Sequence, residues 1–153
     1  MHSAHFSRPA AIACIHGGEE YPSISGTVSF YSLPGGLIVS ANIHGLPVKD
    51  NNRDIFAFHI HEGSSCTGTD FSATGSHFDL HHNLHPYHTG DLPPLFAEHG
   101  KACMDFWTER FRIRDIIGRT VVIHEHADDF STQPSGNAGK KIACGVILRN
   151  CCR

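Results

Sequence analysis

No CxxC pair occurs in the sequence, although six cysteines stand at positions 14, 66, 103, 144, 151 and 152. A zinc ribbon or a thioredoxin-type redox site uses that spacing, so neither is expected. No apolar run approaches the length of a membrane span. The opening MHSAHFSRPAAIACIHGG lacks the sustained apolar segment of a secretory leader. These absences predict a cytoplasmic protein without a membrane partner, or a periplasmic or extracellular one if a leader has been removed. Positive charge is sparse: 12 Lys and Arg against 15 Asp and Glu leave a net charge of −3. Without a basic stripe, nucleic acid is not an expected partner. The chain also shows no internal repeat, low-complexity linker or amphipathic helical period.

Histidine is abundant instead. There are 14 histidines beside only 2 methionines and 1 tryptophan, and they are dispersed rather than gathered in a tag. The 153 residues suit one domain, expected over 1–153 with a core from about 10 to 148 and short tails. A hydrophobic share of 40 % and a charged share of 18 % exclude a disordered chain.

Alternation at a period of two dominates the apolar pattern. Ile24, Gly26, Val28 and Phe30 share one face of ISGTVSF; Leu37, Val39, Ala41 and Ile43 share one face of GLIVSANI. Pro34, Gly35 and Gly36 signal the turn between them. IFAFHIHE alternates next. Strands are also expected around Lys101–Trp107, Phe111–Ile113 and Thr120–His124, and in the closing IACGVIL. Residues 62–94 lose periodicity and read as a long loop, a length that usually signals function. A second polar loop covers about 125–141. Many short strands with frequent turns predict an all-β sandwich or barrel.

The histidines fall on this frame in a pattern. In IFAFHIHE, Phe56, Phe58 and Ile60 face one way while Ala57, His59 and His61 face the other. Alone, His59 and His61 read as two partly exposed strand histidines; joined by further donors they form a metal platform. TVVIHEHA repeats the geometry, and periodicity leaves His124 and His126 both open as ligands. The loop HFDLHHNLHPYHTGD offers His77, His85, His88 and Asp91. Three imidazoles and a carboxylate in a closed set suit zinc, whereas four imidazoles without thiolate suit Cu(II).

Together FAFHIHEGSSC, GSHFDL, HTGDLPPLF, IIGRTVVIHEHADD and GNAGKKIACGVI closely resemble the Cu/Zn superoxide dismutases in order and approximate spacing, from about Ile12 to Ile147. The resemblance implies an eight-stranded Greek-key β-barrel with a long metal-binding loop and a second active-site loop. It implies copper on His59, His61, His77 and His124, with His126 a bystander. It implies zinc on His77, His85, His88 and Asp91, with His77 bridging the metals and His81 and His82 spare. Asp128 resembles the aspartate that hydrogen-bonds one histidine at each metal. Cys66 and Cys144 match the intrasubunit disulfide, and Cys14 matches a buried strand cysteine. Cys103, Cys151 and Cys152 have no clear family role. Lys141 stands where the family usually carries arginine, keeping the charge but losing the planar fork. The shortened gap from His85 to His88 and the GNAGKK stretch look bacterial.

The implied reaction is superoxide disproportionation, with a Cu(II)/Cu(I) couple, redox-inert Zn(II) and catalytic roles for His59, His61, His77, His124 and Lys141. Lys140 reads as a solvated turn residue. A homodimer is the expected assembly. A metal storage or delivery module on the same barrel is the alternative. A zinc hydrolase needs an open zinc position, which the closed set His77, His85, His88 and Asp91 does not leave.

Overall fold

Strand-forming residues alternating between core and solvent give antiparallel sheet wherever short turns let neighbours pair. The computed structural model describes residues 8–49 and 53–150. Nine strands form among them: β1 (Ala11–Gly17), β2 (Ser25–Leu33), β3 (Gly36–His44), β4 (Arg53–Phe56), β5 (Phe58–His61), β6 (Leu95–Glu98), β7 (Ala102–Thr108), β8 (Thr120–His124) and β9 (Lys141–Arg149). Seven of them make one antiparallel sheet in the order β5-β8-β9-β1-β2-β3-β7, and β4 pairs with β6. At the β2–β3 hairpin Leu33 pairs with Gly36, and Gly35 takes a φ of 89° that other residues rarely adopt.

Nine segments stand where eight strands were expected because the alternating run through IFAFHIHE divides at Ala57. Its first part pairs with β6 and its second with β8. At the break the Ala57 N–H donates to the His126 carbonyl, and the Ala57 carbonyl accepts from the His124 N–H. One continuous pattern thus serves two sheets.

The inward faces are those the alternation marks. Ala11, Ala13, Ile15, Val28, Phe30, Leu37, Val39, Ala41, Ile43, Phe56, Phe58 and Ile60 are all buried in one cluster. Each large apolar side chain placed there contributes roughly 1.5–3 kcal/mol.

Three expectations are corrected. Phe111–Ile113 is not a strand: α1 (Ile113–Ile116) forms a single helical turn there. Asp115 accepts from the Arg112 N–H at 2.7 Å, which starts the turn, while Phe111 and Ile116 fill the core. Cys14 is exposed, because the neighbours that point inward from β1 are Ala13 and Ile15. Residues 62–94 are not wholly irregular, since a 3₁₀ segment spans Thr69–Thr74. Cys103 is also an exposed free cysteine, and Cys151 and Cys152 lie outside the described residues.

Candidate metal centre

β5 presents His59 and His61 on the face opposite Phe58 and Ile60, yet neither histidine reaches solvent: they are 0 % and 2 % exposed. The two long loops, 62–94 and 125–140, cover that face. Isolated bridges pair His61 with His77 and His59 with Asp91, drawing the first loop across β5. The disulfide Cys66–Cys144 ties the same loop to β9, with its Cα atoms 5.8 Å apart.

The choice between His124 and His126 is made by a local irregularity. The β8–β9 register shifts between Ile123 and His124, so that His124 lies opposite Lys141. A bulge re-aims a side chain in this way. His124 is 3 % exposed within the histidine cluster. His126 lies beyond the strand with an exposed side chain.

Ligand atoms of His59, His61, His77 and His124 lie within 4.8 Å of one another. Their hydrogen bonds fix which nitrogens remain available. His61 Nδ1 sits 2.9 Å from the Gly75 carbonyl oxygen and His124 Nδ1 sits 3.3 Å from that of Gly139. A carbonyl only accepts, so both Nδ1 atoms carry the proton. Both Nε2 atoms are then bare lone pairs, and they face each other at 3.2 Å. No hydrogen bond joins two acceptors; the arrangement suits a cation between them. His59 follows the same logic, donating from Nε2 to Asp128 at 2.8 Å and leaving Nδ1 buried without a partner.

A second group, His59, His77, His85 and Asp91, also falls within 4.8 Å, because the His59 and His77 rings are only 4.0 Å apart. His88 stands beside it. His85 Nδ1 and His88 Nδ1 each lie 3.1 Å from the same Asp91 Oδ2, and both nitrogens lack a hydrogen-bond partner. His85 has already placed its proton on Nε2, donating to Asp128 at 2.7 Å. His77 Nδ1 meets Asp91 Oδ1 at 2.8 Å while its Nε2 is buried and unpaired. Buried polar atoms are rarely left unpaired. Here the orphans are His59 Nδ1, His77 Nε2, His85 Nδ1 and His88 Nδ1. Among the described residues three of these belong to the two clusters and the fourth, His88 Nδ1, stands beside the second at 3.1 Å from Asp91 Oδ2, so the donor set fits two cations flanking the His77 ring.

Electrostatics keep these donors ready. Burial, then the neighbouring His124 and His77, push the His61 pKa far below its usual value, against the pull of the Gly75 carbonyl. Burial and the electrostatic influence of the nearby His59 bring His124 down to about 3. Burial lowers His77 more than its hydrogen bond to Asp91 raises it. Burial alone would raise Asp128, but donors from His59, His85 and the Phe130 backbone outweigh it and lower its pKa to about 2. Neutral imidazoles and ionised carboxylates are the forms that bind metal.

Lys141 is half-buried, its Nζ donating to Thr74 Oγ1 at 2.8 Å and to the Gly75 carbonyl at 3.0 Å; burial lowers its pKa. Lys140 is exposed and paired with Glu20 at 3.2 Å. His81 and His82 are exposed.

Several supporting residues escape sequence reasoning. Gln133 exchanges two hydrogen bonds with the His85 backbone, at 3.0 and 2.7 Å. Arg110 Nη1 donates to the Asp91 carbonyl at 2.7 Å. No local pattern signals contacts of such long range. Gly136 was nearer to legible, as one of two glycines in PSGNAGKK. It takes a φ of 67°, and a Cβ there would stand 2.0 Å from Asp128 Oδ1 and 2.6 Å from His85 Nε2.

Comparison with known proteins gives a consistent result. The family profile for copper/zinc superoxide dismutase (SODC) matches residues 24–147. The chain is 35 % identical over 145 residues to the Cu-Zn superoxide dismutase of Deinococcus radiodurans, covering 81 % of this chain and 77 % of that one. It is 32 % identical over 133 residues to that of Legionella pneumophila, covering 82 % and 79 % respectively. In three dimensions it is similar to the crystal structure of a double mutant of a SOD-like protein from Bacillus subtilis. The TM-score is 0.79 at 29 % identity, covering 90 % of this chain and 96 % of that one.

Proposed function

From the premise that this chain belongs to the copper/zinc superoxide dismutase family, we propose that it disproportionates superoxide at the two cation positions flanking His77. His59, His61, His77 and His124 hold copper; His77, His85, His88 and Asp91 hold zinc. The observation that carries the assignment is the pattern of bare nitrogens. His59 Nδ1 and His77 Nε2 join the facing His61 and His124 Nε2 atoms on one side, and His85 Nδ1 and His88 Nδ1 join Asp91 on the other. When bound, copper supplies a one-electron Cu(II)/Cu(I) couple and zinc a redox-inert positive charge.

This chain's own residues do the rest. Two superoxide anions and two protons yield one dioxygen and one hydrogen peroxide. His77 Nε2 is the proton-holding atom, because it alone on that ring faces the copper side without a protein partner. Its Nδ1, 2.8 Å from Asp91 Oδ1, is the atom that would serve the zinc side, giving up its proton when a cation enters between them. Asp128 fixes the proton of His59 and of His85 on Nε2 and so keeps both Nδ1 atoms available. Lys141 supplies local positive charge to an anionic substrate in a protein whose net charge is −3. Lys140 adds little, because Glu20 neutralises it.

We assign a second copy of the chain to the β4–β6 face. Ile55 and Phe96 lie opposite each other in register and are 40 % and 67 % exposed. Phe96→Glu is expected to shift sedimentation toward monomer with little loss of turnover. The Cys66–Cys144 bond favours a compartment oxidising enough to keep it closed. No described helix is long and apolar enough to cross a membrane.

Stopped-flow superoxide decay with copper and zinc, zinc alone or no metal tests the central reading. Catalytic decay is expected only with copper; tight copper binding without turnover would replace the enzyme with a metal carrier.

A further inference from the structure

We propose that Thr74 is a positioning residue, whose buried hydroxyl holds the Lys141 ammonium at a fixed place beside the copper ligands. The inference rests on the dismutase reading and adds a residue to it. A lysine offers a compact charge on a flexible stem, without the preorganised fork of an arginine. Something else must hold that charge still if it is to act on a small anion. Thr74 is 0 % exposed. Its hydroxyl proton is committed to the Phe71 carbonyl at 2.8 Å, which leaves its oxygen lone pair to accept from Lys141 Nζ at 2.8 Å. The donor direction is therefore set from the threonine side.

The anchor beneath it is firm. Phe71 is buried against Val122, Cys144 and Cys66, so the peptide that fixes Thr74 is packed onto the disulfide. The next residue completes the arrangement. The Gly75 carbonyl accepts from Lys141 Nζ at 3.0 Å and from His61 Nδ1 at 2.9 Å. One stretch of backbone thus sets both the ammonium and a copper ligand. Two of the three ammonium protons are used, and the third has no acceptor among the described residues. It is the one left for an incoming anion.

The test compares wild type, Thr74→Val, Thr74→Ser, Lys141→Ala and the double variant Thr74→Val/Lys141→Ala as copper- and zinc-loaded proteins. Superoxide decay is measured against ionic strength, beside copper content and the Cu(II) absorption spectrum. Thr74→Val is expected to lower the low-salt rate roughly 3- to 10-fold and flatten its salt dependence, with copper content and spectrum unchanged. Thr74→Ser should keep the wild-type rate. Thr74→Val should have no further effect once Lys141 is alanine. A wild-type salt slope in Thr74→Val, or an equal loss in the Lys141→Ala background, overturns the inference while leaving the dismutase reading intact. Lys141→Ala with the wild-type low-salt rate removes the role of the lysine and Thr74 with it. No turnover in wild type defeats the dismutase reading instead. Should the valine variant not fold, ¹⁵N NMR of wild type decides: slowly exchanging Lys141 ammonium protons are expected, and fast exchange overturns the inference.

Discussion

Asp128 occupies neither proposed ligand set, yet it decides the chemistry of two of their members. By accepting from Nε2 of both His59 and His85, it leaves both Nδ1 atoms as donors to metal. Asp128→Asn keeps the size but makes one of the two contacts depend on an amide proton facing a ring proton. Metal affinity is expected to fall about 10- to 100-fold with the fold retained, read by competition with a chelator. Gly136→Ala tests the same spot sterically, since its φ of 67° and the Asp128 carboxylate both exclude a methyl group. The expected loss is at least about 1–3 kcal/mol of stability in urea unfolding. The sequence made the donor types legible at this scale, because imidazoles and a carboxylate crowd into few segments. Which nitrogen of each ring faces the metal was not legible. That follows from carbonyls of Gly75 and Gly139 and from Asp128, all distant in sequence from some of the rings they orient.

The elements that hold these residues differ in how openly the sequence announces them. β2 and β3 were readable because the core takes every second residue; β8 was readable from the same alternation, although all five of its residues are buried and only Val121 and Ile123 join the main core. The division at Ala57 was hidden, since the same alternation continues through β4 and β5 while the pairing partner changes. The bulge beside His124 was hidden for a like reason: it shifts the β8–β9 pairing, and the β8 sequence keeps its alternation. The loops are held by specific bonds. Removing Cys66–Cys144 releases a closure spanning 78 residues, and Cys66→Ser/Cys144→Ser is expected to cost about 2–5 kcal/mol in denaturant unfolding. The second loop has an acid-sensitive turn. Asp129 accepts from the Ser131 and Thr132 backbones and from the Thr132 hydroxyl, and these bonds lower its pKa to about 2 from 3.8. A depressed carboxyl contributes stability above its unfolded pKa and loses it as pH falls through the folded one. Asp129→Asn should therefore flatten the fall in melting temperature of the metal-free protein between about pH 4 and pH 2.

At the scale of the whole fold, four buried nitrogens among the described residues are left unpaired on one side of a well-packed sheet. Such a site is costly until a cation fills it, and binding to the folded state alone adds stability by mass action. Free zinc at about 1,000 times its dissociation constant should raise unfolding stability by roughly 4 kcal/mol, read as a rise in melting temperature. The single carboxylate of Asp128, shared between His59 and His85, carries a further consequence. Whatever fills one position stiffens a ring that the other position needs, and His77 belongs to both. The two positions are then not independent: loading either should tighten the other by the same factor, because such coupling is reciprocal at equilibrium. Order of addition would change the rate at which the pair is filled and leave the final occupancy alone.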